Sequence, residues 1–489
     1  MELTKSQKEA LTLLNNFINS TQIQEESDSS NVFILSGPAG TGKTTLMSEF
    51  LKQFPSNTVS LSTPTHKAKK ILKEKTNNKY QTQTIHQLFD LKPYYTDTGK
   101  ILFVSPESIT VSLSKYKIFI IDECSMISED LFKILNNYIL SSDKQTQRFI
   151  FIGDPYQLPP VNEEISKVFT IYHTNNTTNL DSTTTTTNYY ELKEIVRNKG
   201  SVQQLTNYIR DRIFNPDFTF TYSKETKKLF DTKYTIPITH TSYWINAIED
   251  TFSKTVTSAH HITWTNKETN QINTIIRNKL YPNSSSPYIK GETIIAAGYL
   301  NSNIKNLSYP TEVIEPIQYY TCDEFNIQDV QLANVTYKLD TLAINTTIKC
   351  WKLLINATTR VNIDGEEEFL QECLYKIIDT SDEHDKFTNI QNLIKANCKK
   401  LGSVYKQDRS PANKSALIKM WGEYHKFTNK FNPPIIYNYS TTTHKSQGST
   451  YRYTFVNVRD INKNRDSVYR NKCLYTAVTR ASYKLILFI

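Results

Sequence analysis

The sequence predicts an α/β protein built on two parallel sheets, and three observations carry that reading. Short apolar runs at 32–35, 118–121, 149–152, 453–458 and 485–489 lack polar alternation, as strands buried on both faces do. Helical patterns lie between such runs at Thr45–Phe54, His66–Lys75 and Glu129–Leu140, and strands alternating with helices argue for parallel sheets. The runs recur in the second half of the chain, so two sheets are expected.

The first run, Val32-Phe33-Ile34-Leu35, leads into Gly37-Pro38-Ala39-Gly40-Thr41-Gly42-Lys43-Thr44, a complete GxxxxGK[ST] phosphate-binding loop. A buried strand followed by a glycine-rich turn and a helix from the lysine is the context the motif requires. Backbone N–H groups of the turn face the β- and γ-phosphates, Lys43 neutralises them, and the Thr44 hydroxyl ligates Mg²⁺. The second run ends in Asp122-Glu123. Asp122 is placed to hold Mg²⁺ through water, and Glu123 to orient and deprotonate an attacking water. The third runs into Gly153-Asp154-Pro155-Tyr156-Gln157, where the neutral Gln157 amide is a candidate sensor of the γ-phosphate. These residues point to a nucleoside triphosphatase.

Composition bounds the rest. At ~150 residues per domain, 489 residues suggest about three units. A net charge of +9, from 57 Lys+Arg against 48 Asp+Glu, favours a polyanionic partner. The six cysteines, Cys124, Cys322, Cys350, Cys373, Cys398 and Cys473, contain no C-x-x-C pair, which argues against a zinc ribbon and suits a reducing compartment. No run approaches the ~18 apolar residues of a membrane span, and Met-Glu-Leu-Thr-Lys-Ser-Gln at the start lacks a signal core; a soluble, intracellular protein is expected. The polar stretch 174–188 reads as an exposed loop. Residues 291–435 mix short β-like runs with a long helical stretch and read as an insertion.

Taken together, the motifs resemble those of superfamily 1 helicases, in order and spacing, over nearly the whole chain. Gln7 matches their adenine-reading glutamine, Asp122-Glu123 their DExx box, and Gly153–Gln157 their GDxxQ motif. Thr443-His444-Lys445-Ser446-Gln447-Gly448-Ser449 carries the H-K-x-Q-G of their T-x-H-K-x-Q-G motif, and Tyr475-Thr476-Ala477-Val478-Thr479-Arg480 matches Y-x-A-x-T-R. Within that superfamily the chain is most similar to the phage Dda-type helicases, relatives of RecD and Pif1. The stretches carrying this are Gly37–Thr45, Thr63–Leu72, Thr84-Ile85-His86 and Thr265-Asn266-Lys267.

The resemblance implies two RecA-like domains, a β-hairpin pin and an SH3-like module with a helical tower. Its domain bounds would be 1–86 with 115–165 (1A), 87–114 (1B, the pin), 166–290 with 436–489 (2A) and 291–435 (2B). It implies ATP bound by Gln7 and Gly37–Thr45, with Arg480 as arginine finger and Arg197 as a second γ-phosphate contact. Single-stranded DNA would meet Pro64, Thr65, His66, Thr84 and His86 on one domain, and Thr265, Asn266, Thr443, His444, Lys445 and Ser446 on the other. Phe103 falls where the family places the aromatic that stacks on the parting base pair. The implied activity is ATP-dependent 5′→3′ unwinding of fork or tailed duplex DNA in replication, recombination or repair. It would be performed by a monomer, with a single-strand-binding protein as a possible partner. RNA helicases and non-unwinding translocases share every one of these ATPase motifs. A catalytically silent scaffold on the same fold is opposed by the intact Lys43, Asp122, Glu123, Gln157, Arg197 and Arg480.

Overall fold

The computed structural model describes residues 3–20, 31–106, 108–143, 146–174, 188–196, 200–231, 233–301, 318–319, 321–361 and 367–489. Arg197 and positions 175–187 of the Thr/Asn-rich stretch lie outside these. The chain forms two compact units, one of Met1–Asp90, Ser105–Pro282 and Tyr439–Ile489, the other of Leu91–Val104 and Asn283–Asn438. Among the described residues no helix is long and apolar enough to cross a membrane.

The first unit contains two all-parallel sheets. One runs in the order Thr82–Thr84, Val59–Thr63, Ile118–Ile121, Arg148–Gly153, Val32–Ser36, Tyr189–Glu191, with every neighbouring pair parallel. Phe33, Leu35, Ile120, Ile150 and Ile152 pack with Leu46, Met47 and Phe50 of the helix Lys43–Leu51, and with Ala10 and Leu14 of the helix Lys5–Asn19. Each such side chain, fully buried, contributes about 1.5–3 kcal/mol. Burial on both faces is why these strands read as unbroken apolar runs. Because all the strands point the same way, their carboxyl ends share one edge of the sheet, the usual location of ligand sites in α/β folds. The phosphate loop, Pro64–His66, Asp122-Glu123 and Asp154–Gln157 all start there.

One boundary is corrected. Tyr189–Glu191, expected in the second parallel domain, pairs with Ile34–Ser36 and edges the first sheet. Without it the phosphate-loop strand would present an unpaired row of N–H and C=O groups.

The second sheet runs Ser440–Thr442, Ala259–Thr263, Tyr451–Asn457, Ala481–Phe488, Thr235–Ile238, again all parallel. The apolar runs at 453–458 and 485–489 lie in two of these strands. The strand Ala259–Thr263 carries two buried histidines and so escapes an apolar-run reading. Each ring bonds to the neighbouring edge strand, His260 to Thr441 Oγ1 at 2.8 Å and His261 to Ser440 Oγ at 2.9 Å. His260 also stacks on Tyr451, with ring centroids 4.0 Å apart.

The second unit is antiparallel. Its five-stranded sheet runs Glu367–Ile377, Ile344–Val361, Glu324–Leu339, Thr293–Ala296, Ile435–Tyr437. The long central hairpin serves two cores. Near one end Phe325, Ile327, Leu353 and Ile355 pack with Ile294 and Ile435. Near the other, Tyr337, Ile348 and Cys350 pack with Phe387, Ile394, Phe427 and Phe431 of the helices Ser381–Gln407 and Pro411–Phe431.

The small hairpin Lys92–Tyr95 and Ile101–Val104 belongs to this unit. Its turn closes through Thr96 N–H to Lys100 O at 2.8 Å and Gly99 N–H to Thr96 O at 3.0 Å. The helix Pro411–Phe431 clamps that turn. Trp421 Nε1 donates to Asp97 O at 3.2 Å, His425 Nε2 bonds to Gly99 O at 2.9 Å, and the His425 ring stacks on Tyr95 at 5.1 Å. Phe103 is not at the tip. It lies on the second strand opposite Pro93, its ring edge-on to Tyr299 at 5.4 Å. The tip residues Thr96–Lys100 contain no aromatic.

Two outcomes follow from this packing. Burial lowers the pKa of His261 to about 3 and that of His260 well below its usual value. The unfolded chain therefore binds more protons below pH ~6.5, and each ring costs about 1.4 kcal/mol per pH unit from there down to its folded pKa. Thermal unfolding followed by circular dichroism should show a midpoint constant from pH 8 to 7 and falling between pH 6.5 and 4. At the hairpin tip, Gly99 has φ +81°, and an added Cβ would lie 2.6 Å from the Trp421 ring. Left-handed backbone alone costs a non-glycine residue about 1–2 kcal/mol, so Gly99→Ala should loosen the clamp. Tryptic cleavage after Lys100 should rise several-fold over wild type.

Candidate functional site

The phosphate loop is shaped by two left-handed glycines, Gly40 (φ +86°) and Gly42 (φ +78°). Gly42 caps the helix Lys43–Leu51, and a side chain there would collide with Gln7 Nε2. Gln7 is buried and engaged at both ends of its amide. Nε2 donates to Thr41 O at 3.0 Å, and Oε1 accepts from Thr4 N–H at 3.0 Å in a capping box. The expected adenine reader therefore braces the loop in this state. Lys43 Nζ reaches back across the loop to Gly37 O at 2.6 Å and Pro38 O at 3.1 Å.

Two strands along the sheet edge, Thr44 Oγ1 donates to Asp122 Oδ2 at 3.5 Å. Burial first, and then Glu123, push the Asp122 carboxyl up to about 6. A buried carboxylate beside a hydroxyl is a hard-oxygen donor pair, the chemistry that fits Mg²⁺ with water completing its shell. The cation's own charge would return Asp122 to its ionised form. Glu123 stands at φ +56°, an unusual conformation for a side-chain-bearing residue and one that clusters at functional sites. Its N–H donates to Asp122 Oδ1 at 2.8 Å.

The second sheet reaches this site through the helix Ser467–Val478. Tyr475 is fully buried; its hydroxyl donates to Asp154 Oδ2 at 2.9 Å and accepts from Ala39 N–H at 3.2 Å. Burial and then Asp154 hold the Tyr475 pKa well above its usual value, so the hydroxyl keeps its proton. Gln157 Nε2 donates to the same Asp154 oxygen at 3.3 Å, while its buried Oε1 has no hydrogen-bond partner among the described residues. Leu158 N–H donates to Thr476 Oγ1 at 2.9 Å, and Gln447 Nε2 to Leu158 O at 2.8 Å. Arg480 is buried and bonds to Thr476 O at 3.0 Å, Thr479 Oγ1 at 2.9 Å and Ser449 O at 3.3 Å, all in its own domain. A cavity of about 480 Å³ opens beside the loop, lined by Pro38, Tyr156, Lys193, Arg210 and Phe214 among others. Sequence reasoning singled out neither Arg210 nor the Tyr475 hydroxyl. The tyrosine's place in a motif was the available signal; Arg210 had none.

The expected nucleic-acid residues separate into two groups. Thr65 and Thr84 cap helices that follow adjacent parallel strands, accepting from Ala68 N–H at 3.3 Å and Gln87 N–H at 3.1 Å. This brings Pro64–His66 and Thr84–His86 together. His66 is lowered to about 3 by burial, Lys69 and His86, and His86 to about 4 by burial, so both are neutral near pH 7. The second sheet repeats the turn. Thr63 Oγ1 donates to Thr65 O at 2.9 Å, and Thr263 Oγ1 to Thr265 O at 3.1 Å. Thr265 caps its helix and donates to Asp460, leaving Asn266 exposed.

Thr443 and Ser446 are corrected. Both are fully buried, donating to Thr263 O at 3.0 Å and Thr443 O at 2.7 Å. Their hydroxyls hold the loop's shape and are not presented to a ligand. Half-buried His444, bonded to the Tyr469 hydroxyl at 2.6 Å, and Lys445 remain at the surface.

Fold and site define a P-loop NTPase in which two RecA-like parallel sheets meet at the nucleotide loop. An AAA-domain family model matches residues 20–163, and a UvrD-like helicase C-terminal-domain model matches residues 437–488. The chain is 28% identical to an uncharacterized protein of Acanthamoeba polyphaga mimivirus, over 93% of this chain and 94% of that one. It is 26% identical to the ATP-dependent DNA helicase dda of Enterobacteria phage T4, over 99% and 98%. A Bacteroides Pif1 helicase solved with ADP-AlF3 and ssDNA aligns at 17% identity and TM-score 0.46, over 100% of this chain and 93% of that one. The chain is thus similar to the Dda helicase over nearly its whole length, and its two matched segments carry an AAA domain and a UvrD-like helicase C-terminal domain.

Proposed function

We propose that this chain is an ATP-driven DNA helicase that moves 5′→3′ on single-stranded DNA and opens the duplex ahead of it. The observation that carries this reading is the seam at Tyr475, where the phosphate loop of one parallel sheet bonds to the helix of the other that runs on to Arg480. A nucleotide bound at such a seam changes the relation of two motor domains. The direction rests on the Dda-type resemblance. The first sheet and its helices act as 1A, Leu91–Val104 as the pin, the second sheet as 2A, and Asn283–Asn438 as the SH3-like and tower domain.

By the resemblance, Lys43, Gln157 and Arg480 would meet the γ-phosphate together with Arg197, which lies outside the described residues, and the guanidiniums would offset charge that spreads over its oxygens in the transition state. Thr44 and Asp122 hold Mg²⁺, which when bound neutralises the β- and γ-oxygens. Glu123 takes the proton of the attacking water. Pro64–His66 and Thr84–His86 grip the strand on one domain, with Asn266, His444 and Lys445 on the other. Neutral imidazoles suit base faces and polar backbone groups suit phosphates. Alternating grip turns closure and opening into steps. We read the working form as a monomer on fork or tailed DNA, with a single-strand-binding protein as partner, in viral or phage replication, recombination or repair.

Strand displacement tests this on paired duplexes, one with a 5′ tail and one with a 3′ tail. Only the 5′-tailed duplex should open, and only with ATP and Mg²⁺. Lys43→Ala and Glu123→Gln should each lower DNA-stimulated hydrolysis by about 10²–10⁴-fold, the latter while still binding ATP. Opening of the 3′-tailed duplex alone would overturn the direction. ATP hydrolysis stimulated by single strands without opening of either duplex would favour a translocase.

A further inference from the structure

We propose that Tyr475 is a positioning residue that couples occupancy of the γ-phosphate site to the helix carrying Arg480, by exchanging one hydrogen bond at Ala39. This rests on the nucleotide reading above. Ala39 lies within the phosphate loop, whose backbone N–H groups serve as phosphate donors. Its N–H is directed instead at the Tyr475 hydroxyl, 3.2 Å away, contributed by the other sheet's helix. A phosphate oxygen and the tyrosine oxygen thus compete for one donor. The bond to an ionised phosphate is about twice as strong as one to a neutral hydroxyl, so the phosphate displaces the tyrosine.

The hydroxyl is left with a second, stronger partner. It already donates to the Asp154 carboxylate at 2.9 Å, and that bond survives the loss of Ala39. Asp154 is fixed in turn by Gln157 Nε2 at 3.3 Å and Tyr156 N–H at 3.0 Å. One turn of the same helix holds Leu158 N–H through Thr476 Oγ1 at 2.9 Å, and Arg480 Nε through Thr476 O at 3.0 Å. Asp154–Leu158, Thr476 and Arg480 are therefore tied together. Asp154–Leu158 continues from the strand paired with the phosphate-loop strand, so breaking the bond at Ala39 leaves the helix that leads to Arg480 bonded here through Asp154 and Leu158, the residues that flank Gln157, and lets Gln157 and Arg480 re-seat together when ATP arrives.

The test uses the full chain and Tyr475→Phe, which keeps the ring's packing and removes only the hydroxyl. Affinities for a fluorescent non-hydrolysable ATP analogue and for ADP are measured without DNA, and kcat and KM for ATP with and without single-stranded DNA. Loss of the competitor should tighten the ATP analogue by about 2–10-fold, the worth of one net hydrogen bond, with a smaller change for ADP. The DNA-stimulated kcat should fall, because loop and helix no longer report to each other. Asp154→Asn keeps the shape, weakens the tyrosine's acceptor, and should shift both readouts the same way by less.

Unchanged nucleotide affinity and stimulated kcat, with at most a lower melting temperature, would reduce Tyr475 to a packing residue and overturn the proposal. Weaker binding of the ATP analogue would also overturn it. If wild type itself shows no DNA-stimulated ATP hydrolysis, the functional reading fails and the coupling falls with it.

Discussion

The parallel pairing of Val32–Ser36 with Arg148–Gly153, and of that strand with Ile118–Ile121, is the constraint on which the rest depends. It places Gly37–Thr44, Asp154–Gln157 and Asp122-Glu123 on neighbouring strand ends. Three kinds of chemistry are then close enough to share one phosphate: amide donors, a cation-holding carboxylate and a water-activating glutamate. Antiparallel pairing would send one of these motifs to the far edge. The energy that fixes this order is apolar. Phe33, Leu35, Ile120, Ile150 and Ile152 are all essentially excluded from water, and a one-residue slip in any strand would move them to the opposite face of the sheet, against a different set of helices.

The join to the second sheet is of a different kind. Where the first sheet is held by packing, the seam adds to the buried Leu158 a set of single hydrogen bonds through Tyr475, Thr476 and Gln447. Net hydrogen-bond contributions of about 0.5–1.5 kcal/mol are small enough for a bound nucleotide to rearrange. A core of Ile and Phe side chains has no such intermediate states. This division suits a motor, with rigid halves joined by a contact that is partly polar and, in that part, reversible.

Much of this was legible in the sequence, because apolar runs ending in glycine or acidic residues have few other structural meanings. The phosphate loop, Asp122-Glu123 and Gln157 sit where their motifs implied. The misses share a physical cause: a residue's type does not say which way its side chain turns. Thr443 and Ser446 look like phosphate donors in the sequence, yet the Ser446 hydroxyl bonds within its own loop and the Thr443 hydroxyl bonds to Thr263 O on the neighbouring strand. Gln7 serves the capping box and the loop carbonyl in this state. Ala259–Thr263 hid as a strand because its histidines bond to Ser440 and Thr441, partners far away in sequence. Phe103, placed by the resemblance in the hairpin, lies on its second strand, with the turn at Thr96–Lys100.

The central claim is that nucleotide draws the two parallel sheets together. Spin labels on Val111 and Tyr243, which are 76% and 67% exposed and flank different sheets, allow the separation to be measured by pulsed dipolar spectroscopy. The account predicts a shorter, narrower distance distribution with Mg²⁺ and an ATP transition-state analogue than with ADP. Identical distributions in the two states would contradict it.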